Sequence, residues 1–381
     1  MIPFNRPHLT GQELRSIAVA VANLDLSSNG AFTRLCQTWL ETHLGAARVL
    51  LTHSCTAALE MASLLAGIGV GDEVIMPSFT FASTANAVVL RGGIPVFVDI
   101  RADTLNLDEA LIEAAITTRT KALCAVHYAG VAAGMDAITA IARRHGLVLI
   151  EDAAQGLFAR FQDRPLGSIG ALGAISFHET KNIISGEGGA LVINDPALVE
   201  HAEQIWQKGT DLGRFARGEI DQYTWQTAGS SFAPNEITAA FLWAQLQKGE
   251  AATERRLAQW QRYHAAFAEI EADGRVGRPT IPDGCGNNGH LYRLLLPSAG
   301  ARREAIARLR ALGVQAVSHY VPLHSSPAGL RYGRPSGDMR VTDDAAARLI
   351  RLPLHASLTE AEQAQVIRAV IHTCSPYAPA W

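Results

Sequence analysis

The stretch "ARVLLTHSCTAALEMASLLAGIGVGDEVIMPSFTFASTANAVVLRGGIPVFVDI", residues 47–100, decides the fold. Three apolar runs, "ARVLLT", "DEVIMPS" and "IPVFVDI", alternate with two helical patterns, "TAALEMASLLAGIG" and "FASTANAVVLRGG". The runs are too continuous for strands with one wet face, so they predict a sheet covered on both sides. Strand, helix and strand in regular alternation predict a mostly parallel α/β sheet. The pattern extends outward through "NLDEALIEAAITTRT", "KALCAVHYA", "MDAITAIARRHG" and "LVLIEDA". Gly69, Gly71, the Gly92-Gly93 pair and Gly146 supply the helix stops.

Beyond "GGALVIND", residues 196–208 read as helical and lead into a polar loop, "GTDLGRFARGEIDQYTWQTAGSS". Residues 235–271 carry a long helical pattern that crosses toward a small α+β unit. There "HLYRLLLP", "QAVSHYVPLH" and "RLIRLPLH" read as extended, and "RREAIARLRALG" and "TEAEQAQVIRAVIHT" as helices. The expected division is a large unit over 1–250 and a small one over 251–381, with "CGNNGH" a loop-like joint near the border. No internal repeat or low-complexity segment interrupts the chain.

The 381 residues are 48% hydrophobic and 18% charged, with a net charge of −3. That is ample for a large core, and with no basic block nucleic acid is not an expected partner. No run of about 18 uncharged apolar residues occurs and the first residues carry no apolar signal-type core, so a cytoplasmic protein is expected. The five cysteines are scattered without C-x-x-C pairing, which argues against a disulfide framework or a metal site. No G-x-G-x-x-G follows the first strand, which argues against a dinucleotide enzyme. No basic helix-turn-helix segment is left over to make a regulator.

In an open α/β sheet, ligands bind outside the carboxyl ends of the strands. Three segments put unusual residues there. In "LTHSCTAALEM" the N–H groups of Cys55 and Thr56 and the Thr56 hydroxyl suit a phosphate at a helix N-terminus; an ordinary Ser/Thr cap explains them equally. In "LVLIEDAAQG" Glu151 and Asp152 follow an apolar strand, with Gln155 a turn later; the carboxylate pairs with a cationic ligand atom, or Asp152 merely caps the next turn or binds a nearby arginine. In "SFHETKNIISGEGGA", residues 176–190, Lys181 follows an apolar run. Desolvated there, it can lose its proton and attack a carbonyl; otherwise it is a solvated loop lysine. Together the three are the parts that hold pyridoxal 5′-phosphate (PLP): a phosphate cradle, a carboxylate for the pyridine nitrogen and a Schiff-base lysine. Ser176 could add a hydroxyl to the phosphate. Phe81, in "PSFTFAST", could stack on the ring or be plain core.

The motifs "SCTAALE", "GDEVIMPSFTFASTANA", "IPVFVDI", "VHYAG", "IEDAAQ", "ISFHETKNIISGEGGA" and "VPLH" resemble those of the DegT/DnrJ-type nucleotide-sugar aminotransferases, and the resemblance covers nearly the whole chain. It implies the fold-type I, aspartate-aminotransferase-like architecture and a homodimer with shared active sites. It implies Lys181 as Schiff-base lysine and proton carrier, Asp152 at the pyridine nitrogen, Gln155 by the ring hydroxyl and Phe81 over the ring. Cys55, Thr56 and Ser176 would hold the phosphate. The implied substrates are glutamate as donor and a dTDP-linked keto sugar as acceptor, with pyridoxamine phosphate between the half-reactions. Related proteins that dehydrate sugars carry histidine in place of the lysine. Two departures stand out. Cys55 replaces a common glycine, and "GSSFAP" puts Ser231 and Ala233 where many members carry an asparagine and an arginine that reach the neighbouring subunit; of these two side chains only Ser231 can donate a hydrogen bond. His319, Tyr320 and His324 of "SHYVPLH" line the sugar end or form a plain strand. Lys208, Arg217, Tyr223 and Trp225 meet the diphosphate and base or form a solvated surface, and Tyr223 and Trp225 could also serve a dimer interface.

Overall fold

The computed structural model describes residues 1–374; residues 375–381, part of the expected small unit, lie outside the described residues. The expected strands form in chain order as β1 (Arg48–Thr52), β2 (Glu73–Pro77), β3 (Ile94–Val98), β4 (Thr120–Val126), β5 (Val148–Asp152), β6 (Leu172–Ser176) and β7 (Gly189–Ile193). Later come β8 (Tyr292–Leu295), β9 (Arg334–Pro335) and β10 (Leu349–Leu352).

The large sheet has eight strands in the order β1-β7-β6-β5-β4-β2-β3-β9. From β6 to β9 neighbours run parallel. Strand β7 runs antiparallel to both β1 and β6. Strands β2, β6 and β7 are buried at every position. One face packs on the helices Cys55–Leu65, Ala82–Val89 and Val199–Trp206 through Leu59, Val88 and Ile205. The other packs on Ala31–Leu44 and Glu236–Leu246 through Cys36, Leu40 and Leu242. Two covered faces are why the sequence showed unbroken apolar runs.

A further core gathers Trp260, Tyr263, Tyr292, Leu309 and Val366 with Ile2 from the opposite end of the chain. Ile2 is held between the backbones of Gly313 and Gln315 (2.7 and 3.0 Å), and three residues on Asn5 donates to the Glu179 carbonyl (3.2 Å).

Two local expectations change. The long helical pattern over 235–271 breaks into Glu236–Leu246, Gly249–Ala266 and Ala268–Ala272. Residues 315–324 form no strand; a single bridge joins Val317 to Arg351, and β8 and β10 make a two-stranded sheet. The backbone leaves that sheet because Pro322 has no N–H to give and the His324 N–H is taken by the Ser78 hydroxyl at 3.0 Å. The diversion carries His319 and Tyr320 to the carboxyl ends of the large sheet.

Candidate active site

Register sets the geometry. Gly189, at the start of β7, is paired on one side with Thr52 and on the other with Ser176, so the ends of β1 and β6 lie level beside it. Asp152, at the end of β5, is paired with Val126. The loops leaving these strands enclose a cavity of about 430 Å³.

The helix after β1 starts with Ser54 as its cap, the hydroxyl accepting from the Ala57 N–H at 3.1 Å. Cys55 and Thr56 follow in the first turn, where backbone N–H groups have no acceptor one turn back. The cap is therefore Ser54, a residue other than the two expected at the phosphate. Cys55, Thr56 and Ser176 line the cavity. The Ser176 hydroxyl oxygen accepts from the His178 N–H at 3.3 Å, leaving its own O–H to donate. The Thr56 and Ser83 hydroxyls lie 2.7 Å apart.

Asp152 is buried and faces the cavity, and the Thr84 hydroxyl donates to its Oδ2 at 2.7 Å. The Ala154 N–H donates to Oδ1 at 3.2 Å. Glu151, one residue earlier, points elsewhere, as strand alternation requires. It accepts from the N–H groups of Gly167, Ile169 and Gly170 (2.9, 2.6 and 2.6 Å) and from His127 Nε2 at 2.8 Å. His127 Nδ1 accepts from the Ala133 N–H, which leaves the proton on Nε2 and fixes that ring at the cavity wall.

Lys181 lies on the turn after β6, its N–H donating to the His178 carbonyl at 2.9 Å. Its amine reaches the cavity and has no ion-pair partner among the described residues. Burial lowers its pKa below the usual 10.5, opposed by the charges of Cys55 and Asp152 and helped by Arg351. The balance favours a neutral, nucleophilic amine at lower pH than for a solvated lysine. Phe81 is 62% exposed, so it is not core; its ring stands at the cavity with water on one side.

Gln155 accepts from the Ala129 N–H at 2.6 Å and donates to the Tyr320 hydroxyl at 3.1 Å. His319 Nδ1 lies 3.1 Å from the Tyr128 hydroxyl. Burial, with the Arg351 and Lys181 charges, pushes the His319 pKa down to about 2, so its ring is neutral.

Not every expected residue converges. His324 is outside the cavity, its Nδ1 2.8 Å from the Ser78 hydroxyl and its Nε2 3.5 Å from Asp343; it fastens a loop. Lys208, Tyr223 and Ser231 are exposed on a folded-back loop held by the bridges Gln207–Ser231 and Thr210–Trp225, away from this chain's own cavity. Arg217 there pairs with Glu203 and Glu219. Conversely, Phe4, Asn5, Arg256, His290 and Arg351 line the cavity although the sequence did not single them out. Arg351 alone left a signal, a charge within the apolar run "RLIRLPL".

A buried carboxylate, an uncommitted amine and a first-turn anion cradle in one cavity are the donor set a phosphorylated pyridine aldehyde needs. Comparison with known proteins agrees. The profile of the DegT/DnrJ/EryC1/StrS aminotransferase family matches residues 9–371. The chain belongs to this family. It is 32% identical to the spore coat polysaccharide biosynthesis protein SpsC of Bacillus subtilis, covering 97% of this chain and 96% of SpsC. It is also 32% identical to the GDP-perosamine synthase of Caulobacter vibrioides, over 96% of both chains. Among solved structures, S. venezuelae DesV in complex with a ketimine intermediate superposes with a TM-score of 0.87 at 31% identity, covering 96% of this chain and 95% of DesV. DegT/DnrJ-family aminotransferases are PLP-dependent, and this chain is a PLP-dependent nucleotide-sugar aminotransferase of fold type I. Among the described residues no helix is long and apolar enough to cross a membrane, and no group of three or more metal-ligating side chains occurs.

Proposed function

We propose that the enzyme moves an amino group from L-glutamate to C4 of dTDP-4-keto-6-deoxy-D-glucose, giving 2-oxoglutarate and dTDP-4-amino-4,6-dideoxy-D-galactose for a cell-surface polysaccharide in the cytoplasm. The observation that carries transamination is the Lys181 amine sharing one cavity with the Asp152 carboxylate. The sugar rests on the likeness of "KGTDLGRFARGEIDQYTW", "AAFLWAQL" and "RLIRLPL" to the dTDP-4-amino-4,6-dideoxygalactose transaminase of enterobacterial common antigen synthesis.

Cys55, Thr56 and Ser176 would hold the PLP phosphate, Asp152 its pyridinium N–H, Gln155 its ring hydroxyl and Phe81 its face. When bound, the cofactor supplies an electron sink for the carbanion left when a proton is removed. Lys181 Nζ takes the proton from the donor's α-carbon in one half-reaction and returns one to C4 of the sugar in the other. His319 and Tyr320 are proposed at the sugar end. Two units, 1–250 and 251–381, meet at this cavity. In a homodimer the loop bearing Lys208, Tyr223 and Ser231 reaches the neighbouring subunit's site, with its exposed Trp225 at the contact.

The test is visible absorption of the PLP-loaded protein. Glutamate should bleach the band and the keto sugar restore it; NMR of the product then separates the galacto from the gluco epimer. Lys181→Ala should lose the band's covalent character and at least ~10²-fold in rate, the lower range for positioned proton transfer. Wild-type turnover by that variant would overturn the mechanism. A band bleached by glutamate but not restored would remove the sugar assignment alone.

A further inference from the structure

Beside Asp152 lies a buried pair that the transamination reading does not use. His127 and Glu151 are both fully buried, with the imidazole Nε2 2.8 Å from the carboxylate. His127 follows the end of β4, and its backbone N–H donates to the Asp152 carbonyl at 3.1 Å. The ring therefore stands next to the residue suited to the cofactor's nitrogen, at the wall of the same cavity.

Neither member is free to act on a ligand. His127 Nδ1 is taken by the Ala133 N–H at 3.2 Å and its Nε2 proton by Glu151, so the ring has no lone pair and no proton left to offer. Glu151 Oε1 accepts from Ile169 and Gly170, and Oε2 from Gly167 and His127. Burial pushes its carboxyl up, but the hydrogen bonds from His127 and from the N–H groups of Gly170 and Gly167 outweigh this and hold it below the ordinary range.

Other buried carboxylates of the fold meet positive charge. Glu73 pairs with Arg119 and Arg334. Asp99 and Glu236 accept from first-turn N–H groups of the Arg340–Arg348 and Ala31–Leu44 helices, at their positive ends. Glu151 has neither. No lysine or arginine among the described residues pairs with it, residues 167–170 form a turn, and His127 is the one titratable side chain in contact with it. Anchoring that turn needs only its three N–H donors. It does not account for a histidine reaching the fourth position from the cavity wall.

We propose that His127 and Glu151 are a positioning pair for the cofactor: the imidazole is a pinned wall beside Asp152, and Glu151 adds a buried negative charge behind it that favours protonated nitrogen on the bound group. The inference rests on the PLP reading and adds a second residue, outside the cavity, that tunes it. Arg256 and Arg351, the arginines at the cavity wall, are held by the carbonyls of Gly289, His290 and Ser318, so neither bonds to the pair.

The experiment is a pH titration of the visible band of the PLP-loaded protein. Cys55, Asp152 and Arg351, the groups acting on Lys181 itself, stay the same in every variant. Removing a negative charge disfavours the protonated form, so the midpoint should fall in Glu151→Gln. The expected fall is on the order of one pH unit, the scale of a charge acting over about 10 Å at an effective dielectric near 20. Glu151→Asp keeps the charge and should restore most of the wild-type midpoint. His127→Phe keeps a ring and the Glu151 charge; its midpoint should stay near that of the wild type, while PLP affinity falls severalfold because the wall is no longer pinned. A merely structural anchor would loosen PLP in all three variants and leave the midpoint in place, which would overturn the proposal. Nitrogen-15 NMR of the histidine-labelled wild type, at about pH 8, should show a proton on His127 Nε2 and none on Nδ1. The opposite tautomer would also overturn it, even if Glu151→Gln failed to fold. A protein that took up no PLP would instead remove the cofactor reading, on which the ring's tautomer does not depend.

Discussion

At the scale of single residues, Asp152 shows how a buried carboxylate is held in place by hydrogen bonds. It accepts a hydroxyl and a backbone N–H and has room for one more donor. Removing the hydroxyl by Thr84→Val should cost about 1.5–3 kcal/mol, or about tenfold or more in kcat, because a hydrogen bond to a carboxylate is lost. Asp152→Asn should fall much further, since it removes the charge that holds a pyridinium proton; parallel kcat measurements and cofactor spectra check the ranking. Asp152 and Lys181 were legible because each sits where an apolar strand ends, a place the sequence marks. Arg256 was not, and Arg351 left only a charge in an apolar run, because it takes the folded chain to bring both to the cavity wall. His324 misled for the converse reason: its two ring nitrogens face Ser78 and Asp343, partners far away in sequence.

At the scale of elements, the strands were readable since each carries its own burial signature, but direction was not. Nothing in "GGALVIND" says that β7 runs against its neighbours, because side-chain alternation is the same either way. That reversal brings Gly189 against the loop that starts the Cys55–Leu65 helix. A Cβ built there would lie 2.5 Å from the Ser54 carbonyl carbon and closer still to the Cys55 nitrogen. Gly189→Ala must therefore push the first helical turn away from Ser176. The expected outcome is a loss of about 1–3 kcal/mol, the usual cost of overpacking. Weaker PLP affinity should accompany it, read by thermal denaturation and by cofactor titration. Residues 315–324 show the opposite case: their composition suits a strand, but tertiary partners pull the backbone aside.

At the scale of the molecule, the C-terminal part of the chain supplies the edge strand β9 of the large sheet, fastened by Arg334 to Glu73 (2.9 Å), which Arg119 and Thr117 also meet. Burial pushes the Glu73 carboxyl up, but the hydrogen bonds from Arg334 and Thr117 and the two cationic charges outweigh it, leaving it below the ordinary range. The folded value being the lower one, the stabilisation is whole above the unfolded pKa of about 4.3 and is lost as pH falls through the folded value. Glu73→Gln should lower stability at pH 7 on the order of 1–3 kcal/mol, toward the lower end because both arginines are partly in water. The gap in Tm from wild type should narrow as pH falls below the ordinary carboxylate range. The pairing of β1 with β7 has a different consequence, for how the chain folds. Thr52 and Gly189 lie 189 − 52 = 137 residues apart in the chain, so their pairing is a non-local closure, and such closures are slow. The turn of Cys55 and Thr56 is therefore set against Ser176 only once this closure is made. PLP captured during refolding should leave early collapse unaffected and report, through its late uptake, the moment β1 joins β7.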